Sequence, residues 1–230
     1  MSIAENIQSI RSRMAAAAEK AGRSPEEILL VGASKMNDAA ACREAIAAGI
    51  DALGENRVQE MTAKLAENAY DGAPLHFIGH LQRNKVRQVV GKVELIHSVG
   101  SLELLQEIDR QAAKQNLVQD VLLEVNIGGE ESKSGFAPEA LYDAAAKARD
   151  FSAVRVRGLM TIPPVERTPH GNLPFFERVA ELYVDIGRNL YDNSLDCLSM
   201  GMSDDFEDAI AAGSTMVRVG SAIFGRRHYQ

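Results

Sequence analysis

Residues 29–37 read "LLVGASKMN" and begin a pattern that the rest of the chain repeats. The run Leu29–Val31 has the apolar composition of a buried strand, and three small residues follow it before Lys35. Small side chains beside a lysine leave space for a ligand next to its ammonium group. Most lysines at strand ends simply face water, so the meaning of Lys35 depends on the residues at the ends of the other strands.

Short apolar segments alternate with amphipathic helical segments along the whole chain. The strand-like segments lie at 28–34, 50–54, 75–79, 94–98, 120–126, 154–162, 196–201 and 215–220. About eight such β-α units without a long linker are typical of a TIM (β/α)8 barrel. A doubly wound open sheet is the alternative. We therefore expect an α/β fold with one barrel domain over residues 1–230.

Two further segments fit the barrel. Ile3, Ile7, Ile10 and Met14 recur at helical spacing with charges between them, which predicts an extra amphipathic helix before the first strand. The Pro-rich segment 162–176 is interpreted as a long loop after the sixth strand and not as a domain linker.

The composition excludes several classes of protein. The chain has 230 residues, of which 46% are hydrophobic and 25% charged, so it can bury a sizeable core. Its net charge of −7 argues against non-specific binding to nucleic acid. Cys42 and Cys197 are far apart and form no metal-ligand pattern. No apolar run reaches membrane-span length and the N-terminus is not a signal peptide, so we expect a cytoplasmic protein without a membrane partner.

Polar residues collect where the predicted strands end, which in a barrel is the rim that carries active sites. A lysine, an arginine, amides and hydroxyls at one rim exceed the polarity that loops alone would give. The predicted rim residues are Lys35, Glu55, Asn56, His80, His97, Ser98, Asn126, Thr161, Ser199, Arg218, Gly220 and Ser221.

The last strand adds an anion site to this rim. In "TMVRVGSAIFG" (215–225), Met216, Arg218 and Gly220 share one face of the strand, and Gly220–Ala222 open a terminal helix. Helix starts and the loops after the seventh and eighth barrel strands bind phosphate groups, and "SMGMSDD" (199–205) supplies the seventh loop. A lysine facing a phosphate site suggests pyridoxal phosphate, held as a Schiff base. A Schiff-base aldolase acting on a phosphorylated sugar is equally compatible with the spacing.

Seven segments carry a resemblance over nearly the whole chain. They are "ASK" (33–35), "GENRVQE" (54–60), "HFIGHLQRNK" (76–85), "IHSVGS" (96–101), "EVNIGGEESKSGF" (124–136), "RGLMTIPP" (157–164) and the segment 199–225. Together they resemble the YggS-type pyridoxal phosphate homeostasis proteins. The resemblance implies a barrel like the N-terminal domain of bacterial alanine racemase, pyridoxal 5'-phosphate on Lys35, and a role in vitamin B6 homeostasis without established turnover.

The resemblance also assigns the cofactor residues, position by position. Lys35 would form the Schiff base (a covalent aldimine), and Arg218 would lie beside the pyridine nitrogen. The phosphate would be held by Ser199, Gly220 and Ser221, with Asn56 lining the pocket and Met200 packing near the ring. Two departures stand out: the chain reads Lys35-Met36-Asn37 where many relatives have Lys-Thr or a nearby proline, and His80 stands where some relatives have proline.

These assignments favour a carrier over an enzyme. The permanent charge of Arg218 disfavours a proton on the pyridine nitrogen and weakens carbanion stabilisation. Racemases of this type add a tyrosine from a further β domain, whereas the tyrosines here, at 70, 142, 183, 191 and 229, fall mostly in predicted outer helices. We expect a monomeric carrier that serves apo-enzymes, with a weak amino-acid racemase or lyase as the alternative. Lys133 in the loop 128–136 is a candidate for helping the cofactor enter or leave.

Overall fold

Eight parallel strands close into a barrel in the part of the chain that the structure describes. This computed structural model describes residues 2–130, 133–166 and 168–225, and the strands pair in sequence order with β8 returning to β1. The strands are β1 (Leu29–Ala33), β2 (Ala52–Glu55), β3 (Leu75–Phe77), β4 (Leu95–Val99), β5 (Gln119–Val125), β6 (Val154–Thr161), β7 (Cys197–Ser199) and β8 (Met216–Val219). The predicted barrel is confirmed, and the open sheet is excluded by the β1–β8 pairing.

Helices connect and cover these strands. They are α1 (Ile3–Lys20), α2 (Ala39–Ala47), α3 (Val58–Ala66), α4 (Val86–Val89), α5 (Leu102–Lys114), α6 (Pro138–Ala148), α7 (Leu173–Leu190), α8 (Phe206–Ala211) and α9 (Ser221–Phe224). Across residues 2–130, 133–166 and 168–225, no helix combines the length and the apolarity needed to cross a bilayer.

The predicted N-terminal helix is α1. A capping box starts it, because the Ser2 hydroxyl accepts from the Glu5 N–H while the Glu5 carboxylate accepts from the Ser2 N–H. Its buried face includes Ile7, Ile10 and Met14, as their spacing predicts. This face packs against α8 and α9, so α1 covers the region where the barrel closes.

The loop that follows β6 ends earlier than predicted. Helix α7 begins at Leu173, whereas the predicted loop runs to residue 176. Pro174 lies in the first turn of α7, where proline is tolerated because the N–H groups of a first turn have no partner within the helix. This proline therefore marks a helix start and is not part of the loop.

Two layers of apolar side chains fill the molecule. The larger layer lies between the strands and the helices, and it contains Val217 and Val219. A smaller cluster consists of Val31, Ala52, Leu95, Leu122, Met160, Cys197 and Met216, one residue from each of seven strands. This inner cluster is the interior of the barrel. Met216 and Val217 therefore lie on opposite faces of β8, as the period of two predicts.

Barrel closure brings distant parts of the sequence to one rim. Val31 of β1 is in register with Ala52 of β2 on one side and with Arg218 of β8 on the other. Lys35 follows β1 and Gly220 follows β8, so both stand at the carboxyl ends of neighbouring strands. This is the rim at which barrel active sites occur.

Candidate functional site

A cavity of about 400 Å3 opens at this rim between β1, the loop after β7 and the start of α9. We call it the first cavity. Among the described residues, its lining contains two cationic side chains, two hydroxyls and one exposed carboxylate, that of Asp204. The other residues of its lining that matter here are Lys35, Asn37, Ser203, Arg218, Gly220 and Ser221.

The turn after β1 fixes the position of Lys35. Met36 adopts a left-handed backbone conformation with φ of 62°, which is uncommon for a residue other than glycine. Its N–H donates to the Glu60 carboxylate at 2.7 Å, and the Asn37 side chain donates to the Lys35 carbonyl at 3.0 Å. These contacts hold a sharp turn, so the partly exposed lysine lines the cavity instead of continuing along the strand.

Hydroxyl groups and a helix start form the opposite wall. The Ser221 hydroxyl donates to Ser203 Oγ at 3.2 Å, and Ser221 is the first residue of α9. The N–H groups of Ile223 and Phe224 both bond the Gly220 carbonyl, so those of Ser221 and Ala222 are the groups that open the helix. Such groups bind anions.

Arg218 is a buried cation with a fixed orientation. Its side chain lies inside the barrel, where Nη1 donates to Ser199 Oγ at 2.5 Å and Nη2 to the Thr161 carbonyl at 2.9 Å. Burial lowers the pKa of Arg218 to about 10, although the charges of Asp205 and Glu124 act in the opposite direction. The guanidinium therefore stays charged at neutral pH.

Two of the residues assigned by resemblance lie behind this lining. Ser199 is fully buried and bonds Arg218, and Met200 is fully buried in the layer between strands and helices. The hydroxyl that faces the cavity from the segment 199–205 is that of Ser203, which sequence reasoning missed. The cavity thus brings together Lys35, Arg218, Gly220 and Ser221 and adds Ser203.

A second cavity, of about 510 Å3, lies at the same rim over the ends of β2 to β6. Asn56 lines this second cavity and not the first, and its Oδ1 is buried without a hydrogen-bond partner among the described residues. Glu124 is also buried there and accepts from the Ser134 hydroxyl at 3.0 Å. Burial raises the pKa of Glu124, against the effect of that hydrogen bond and of the Arg218 and His80 charges.

The two residues whose roles the sequence left open also line the second cavity. Lys133 donates to the Pro163 carbonyl at 3.3 Å and pairs with the carboxylate of Glu130. His80 is exposed at its edge. Neither residue belongs to the lining of the first cavity as the structure describes it.

Three of the four described tyrosines make hydrogen bonds within the scaffold. The Tyr70 hydroxyl donates to the buried Glu55 carboxylate at 3.1 Å, and burial raises the pKa of Tyr70 well above its usual range, with Glu55 adding to the effect. Tyr183 and Tyr191 donate to backbone carbonyls, and Tyr142 is exposed on α6. Tyr229 lies outside the described residues.

Comparison with known proteins identifies the class. The family model for the N-terminal domain of alanine racemase matches residues 2–228. An alanine racemase from Clostridium difficile shares the fold with a TM-score of 0.72 at 17% identity, over 98% of this chain and 58% of that one. The family match and the closed barrel of eight parallel strands place the chain among the barrels of alanine racemase type.

Closer relatives narrow the class to one group. Two proteins named pyridoxal phosphate homeostasis protein are 44% identical (Aquifex aeolicus, 100% of both chains) and 41% identical (Escherichia coli, 99% of this chain and 97% of that one). PipY of Synechococcus elongatus, solved with pyridoxal phosphate bound, has a TM-score of 0.84 at 34% identity over 97% of this chain and 100% of that one. The chain belongs to the alanine racemase N-terminal domain family, and within it to the pyridoxal phosphate homeostasis proteins.

Proposed function

We propose that this protein binds pyridoxal 5'-phosphate in the first cavity and carries or buffers it in vitamin B6 homeostasis. The observation that supports this proposal most directly is the composition of that cavity: a lysine from one wall, hydroxyls and a helix start on the other, and a buried arginine between strands. A lysine can form a Schiff base with an aldehyde, and hydroxyls and N–H groups at a helix start can bind a phosphate. The presence of pyridoxal phosphate in PipY, a full-length relative, supports the same ligand.

The residues fit this ligand in distinct roles. Lys35 would hold the aldehyde carbon covalently as a Schiff base, and Ser203, Ser221 and the start of α9 would bind the phosphate. A Cβ at residue 220 would approach both the Cβ and the carbonyl oxygen of Ala33 to 3.3 Å, so Gly220 keeps the space beside the phosphate open. Ser199 would act through Arg218. Asn56 lines the second cavity and Met200 is buried behind the strands, so neither would contact a ligand confined to the first cavity.

Arg218 favours holding the cofactor over using it. When bound, pyridoxal phosphate supplies an electron-withdrawing ring that stabilises a carbanion, most strongly with a protonated pyridine nitrogen. A charged guanidinium that donates to Ser199 and Thr161 would disfavour that proton. No tyrosine among the described residues lines the first cavity, so a second base of the racemase kind is not supplied from there.

Further features of the proposal come from the sequence. We take residues 1–230 as one domain that acts as a monomer in the cytoplasm and passes the cofactor to apo-enzymes that depend on it. The alternative, slow turnover as a racemase or lyase, uses the same cavity, so activity measurements must separate the two.

The test is the visible spectrum of the purified protein with added pyridoxal phosphate. We expect a yellow complex that borohydride fixes to the protein, with peptide mapping that finds the label on Lys35. A racemisation assay on several amino acids runs beside a transfer assay to an apo-enzyme. Turnover at ordinary enzyme rates, roughly 1–10³ per second, would overturn the carrier assignment.

A further inference from the structure

Four buried polar side chains form a line of contacts across the interior of the barrel: Arg218, Ser199, His97 and His76. We call this line the file. His97 Nδ1 lies 3.0 Å from Ser199 Oγ, and His97 Nε2 lies 3.1 Å from His76 Nδ1. Together with the Arg218–Ser199 bond, these contacts join β8, β7, β4 and β3. Barrel interiors are normally packed with apolar side chains, so four linked polar residues here require an explanation.

The donors and acceptors of the file are fixed by its first member. A guanidinium only donates, so Ser199 Oγ accepts from Arg218 and its own proton is available for His97 Nδ1. His97 then carries its proton on Nε2 and donates to His76 Nδ1. In the opposite arrangement His97 Nδ1 would carry the proton and donate to Ser199 Oγ. The Ser199 proton would then have no acceptor among the contacts of the described residues, so only the first arrangement satisfies every member.

The electrostatics of the interior keep both rings neutral, as this arrangement needs. Burial lowers the pKa of His97 well below its usual range, and the His76 and Arg218 charges add to the effect. Burial also lowers the pKa of His76 to about 4, with Arg157 adding to it. A second proton on His97 would point an N–H at Ser199 and disrupt the file.

The far end of the file reaches the opposite face of the barrel. His76 lines a cavity of about 90 Å3 at the amino ends of the strands, together with Asp51, Glu94, Asp120 and Arg157. A cavity of this size has room for water, and its carboxylates are acceptors. The file therefore extends from this cavity, through His76, His97 and Ser199, to Arg218 in the lining of the first cavity.

Resting on the proposed function, we propose that His97 and His76 are positioning residues for Arg218: through Ser199 they orient the guanidinium that lines the first cavity and would lie beside the ring of bound pyridoxal phosphate. Arg218 Nη1 donates to Ser199 and Nη2 to the Thr161 carbonyl, so these two bonds fix the orientation of the guanidinium. This orientation would decide which N–H groups remain for a bound cofactor, and would thereby influence the electronic state of its ring.

The first test needs no cofactor. Nitrogen-15 NMR of the apo-protein at neutral pH should find both histidines neutral, each with its proton on Nε2. A charged ring, or a proton on Nδ1 of either histidine, would overturn the file as described. Because this measurement uses the wild-type chain, it does not depend on whether a variant folds.

The second test measures the action on the cofactor. His97→Leu should shift the absorption and emission maxima of bound pyridoxal phosphate and weaken its binding roughly tenfold, as expected for an arginine that has lost its oriented partner. His97→Gln, which can still bridge, should return toward the wild-type spectrum. Leu122→Val, at another interior position, controls for lost packing.

The decisive variant combination is Ser199→Ala with His97→Leu. Since His97 acts through Ser199, adding His97→Leu to Ser199→Ala should cause no further spectral shift. If the spectral shifts of the two substitutions add, the file has only a packing role. The same conclusion follows if His97→Leu leaves the spectrum unchanged and lowers the melting temperature by as much as Leu122→Val does. Failure of the wild-type protein to bind pyridoxal phosphate would instead reject the proposed function.

Discussion

The two cavities at the rim differ in the chemistry of their walls. The first, between β1 and α9, presents Lys35, Arg218 and the hydroxyls of Ser203 and Ser221. The second, over β2 to β6, contains the buried Glu124 carboxylate and the Asn56 oxygen that has no hydrogen-bond partner in the described part of the chain, and Lys133 there pairs with Glu130. The first cavity combines two cationic side chains with two hydroxyls, whereas the second contains a buried carboxylate beside its own lysine and hydroxyls. We therefore expect an anionic ligand in the first cavity, although the second is larger.

The largest expected effect separates the two lysines. Lys35→Ala should give a folded protein without the yellow complex, because the side chain belongs to the rim and not to the core. Lys133→Ala, the matched variant in the second cavity, should keep the full spectrum. Absorption spectra with added pyridoxal phosphate, before and after borohydride, measure both. Fixed colour in Lys35→Ala would move the covalent site elsewhere.

The next effect tests whether the first cavity is an anion site. Pyridoxal, which lacks the phosphate, should bind roughly ten- to a hundredfold more weakly, since a hydrogen bond to a charged group contributes roughly 1.5–3 kcal/mol. Spectroscopic titration with the two vitamers gives the ratio. Equal affinities would contradict the role of Ser203, Ser221 and the helix start.

A side chain at residue 220 should also lower the affinity for pyridoxal phosphate, but by less than the loss of the phosphate group does. Gly220→Val places a branched side chain where even a Cβ would meet Ala33 at 3.3 Å, and we expect affinity to fall about tenfold. Gly187→Ala is the control, since a Cβ there would find its nearest neighbour at 3.8 Å. Equal titration curves for the two variants would show that the space beside Ala33 is not used.

Removal of a single hydroxyl group should lower the affinity for pyridoxal phosphate still less. Ser221→Ala should weaken binding only a few-fold, because a neutral hydrogen bond contributes about 1 kcal/mol and the backbone donors of α9 remain. Ser134→Ala removes a hydroxyl that bonds Glu124 in the second cavity and should leave the affinity unchanged. A larger loss in Ser134→Ala than in Ser221→Ala would reverse the assignment of the two cavities.

We expect the smallest effect on binding affinity at Lys133. Its role is therefore tested by the rate at which the cofactor is transferred. Lys133 is anchored to Pro163 and Glu130 at the edge of the second cavity. If it assists the cofactor on its way out, Lys133→Ala should slow transfer to an apo-enzyme with affinity and spectrum unchanged. A stopped-flow transfer assay checks this, and a wild-type rate would remove Lys133 from the release path.

The barrel could be predicted from the sequence because its strands are apolar on both faces and short. All eight predicted segments overlap a strand, and the faces of β8 follow the period of two: Met216 inside, Val217 and Val219 outside. The predicted strand 75–79 is only Leu75–Phe77, because composition does not mark where pairing ends.

The site could be predicted only in part, for a physical reason. Residues on strands, such as Arg218, follow the strand period, so their direction can be inferred. Ser203 lies in a loop, where no period applies, and the prediction names Ser199 in its place although β7 directs Ser199 toward Arg218. The His76–His97 contact joins strands β3 and β4 through their inward faces, and no pattern in the sequence states which inward residues meet.

The pairing of β1 with β8 also bears on when the protein can acquire its ligand. The groups proposed to hold pyridoxal phosphate follow β1, β7 and β8, so they come together only after β8 has paired with β1. During synthesis, every intermediate chain that lacks β8 has Lys35 but neither Arg218 nor the start of α9. Once bound, the ligand would contact residues that follow both β1 and β8 and would oppose separation of these two strands. Its contribution to the free energy of unfolding would rise with the logarithm of its free concentration. The supply of pyridoxal phosphate would then change the free energy of unfolding of the finished barrel.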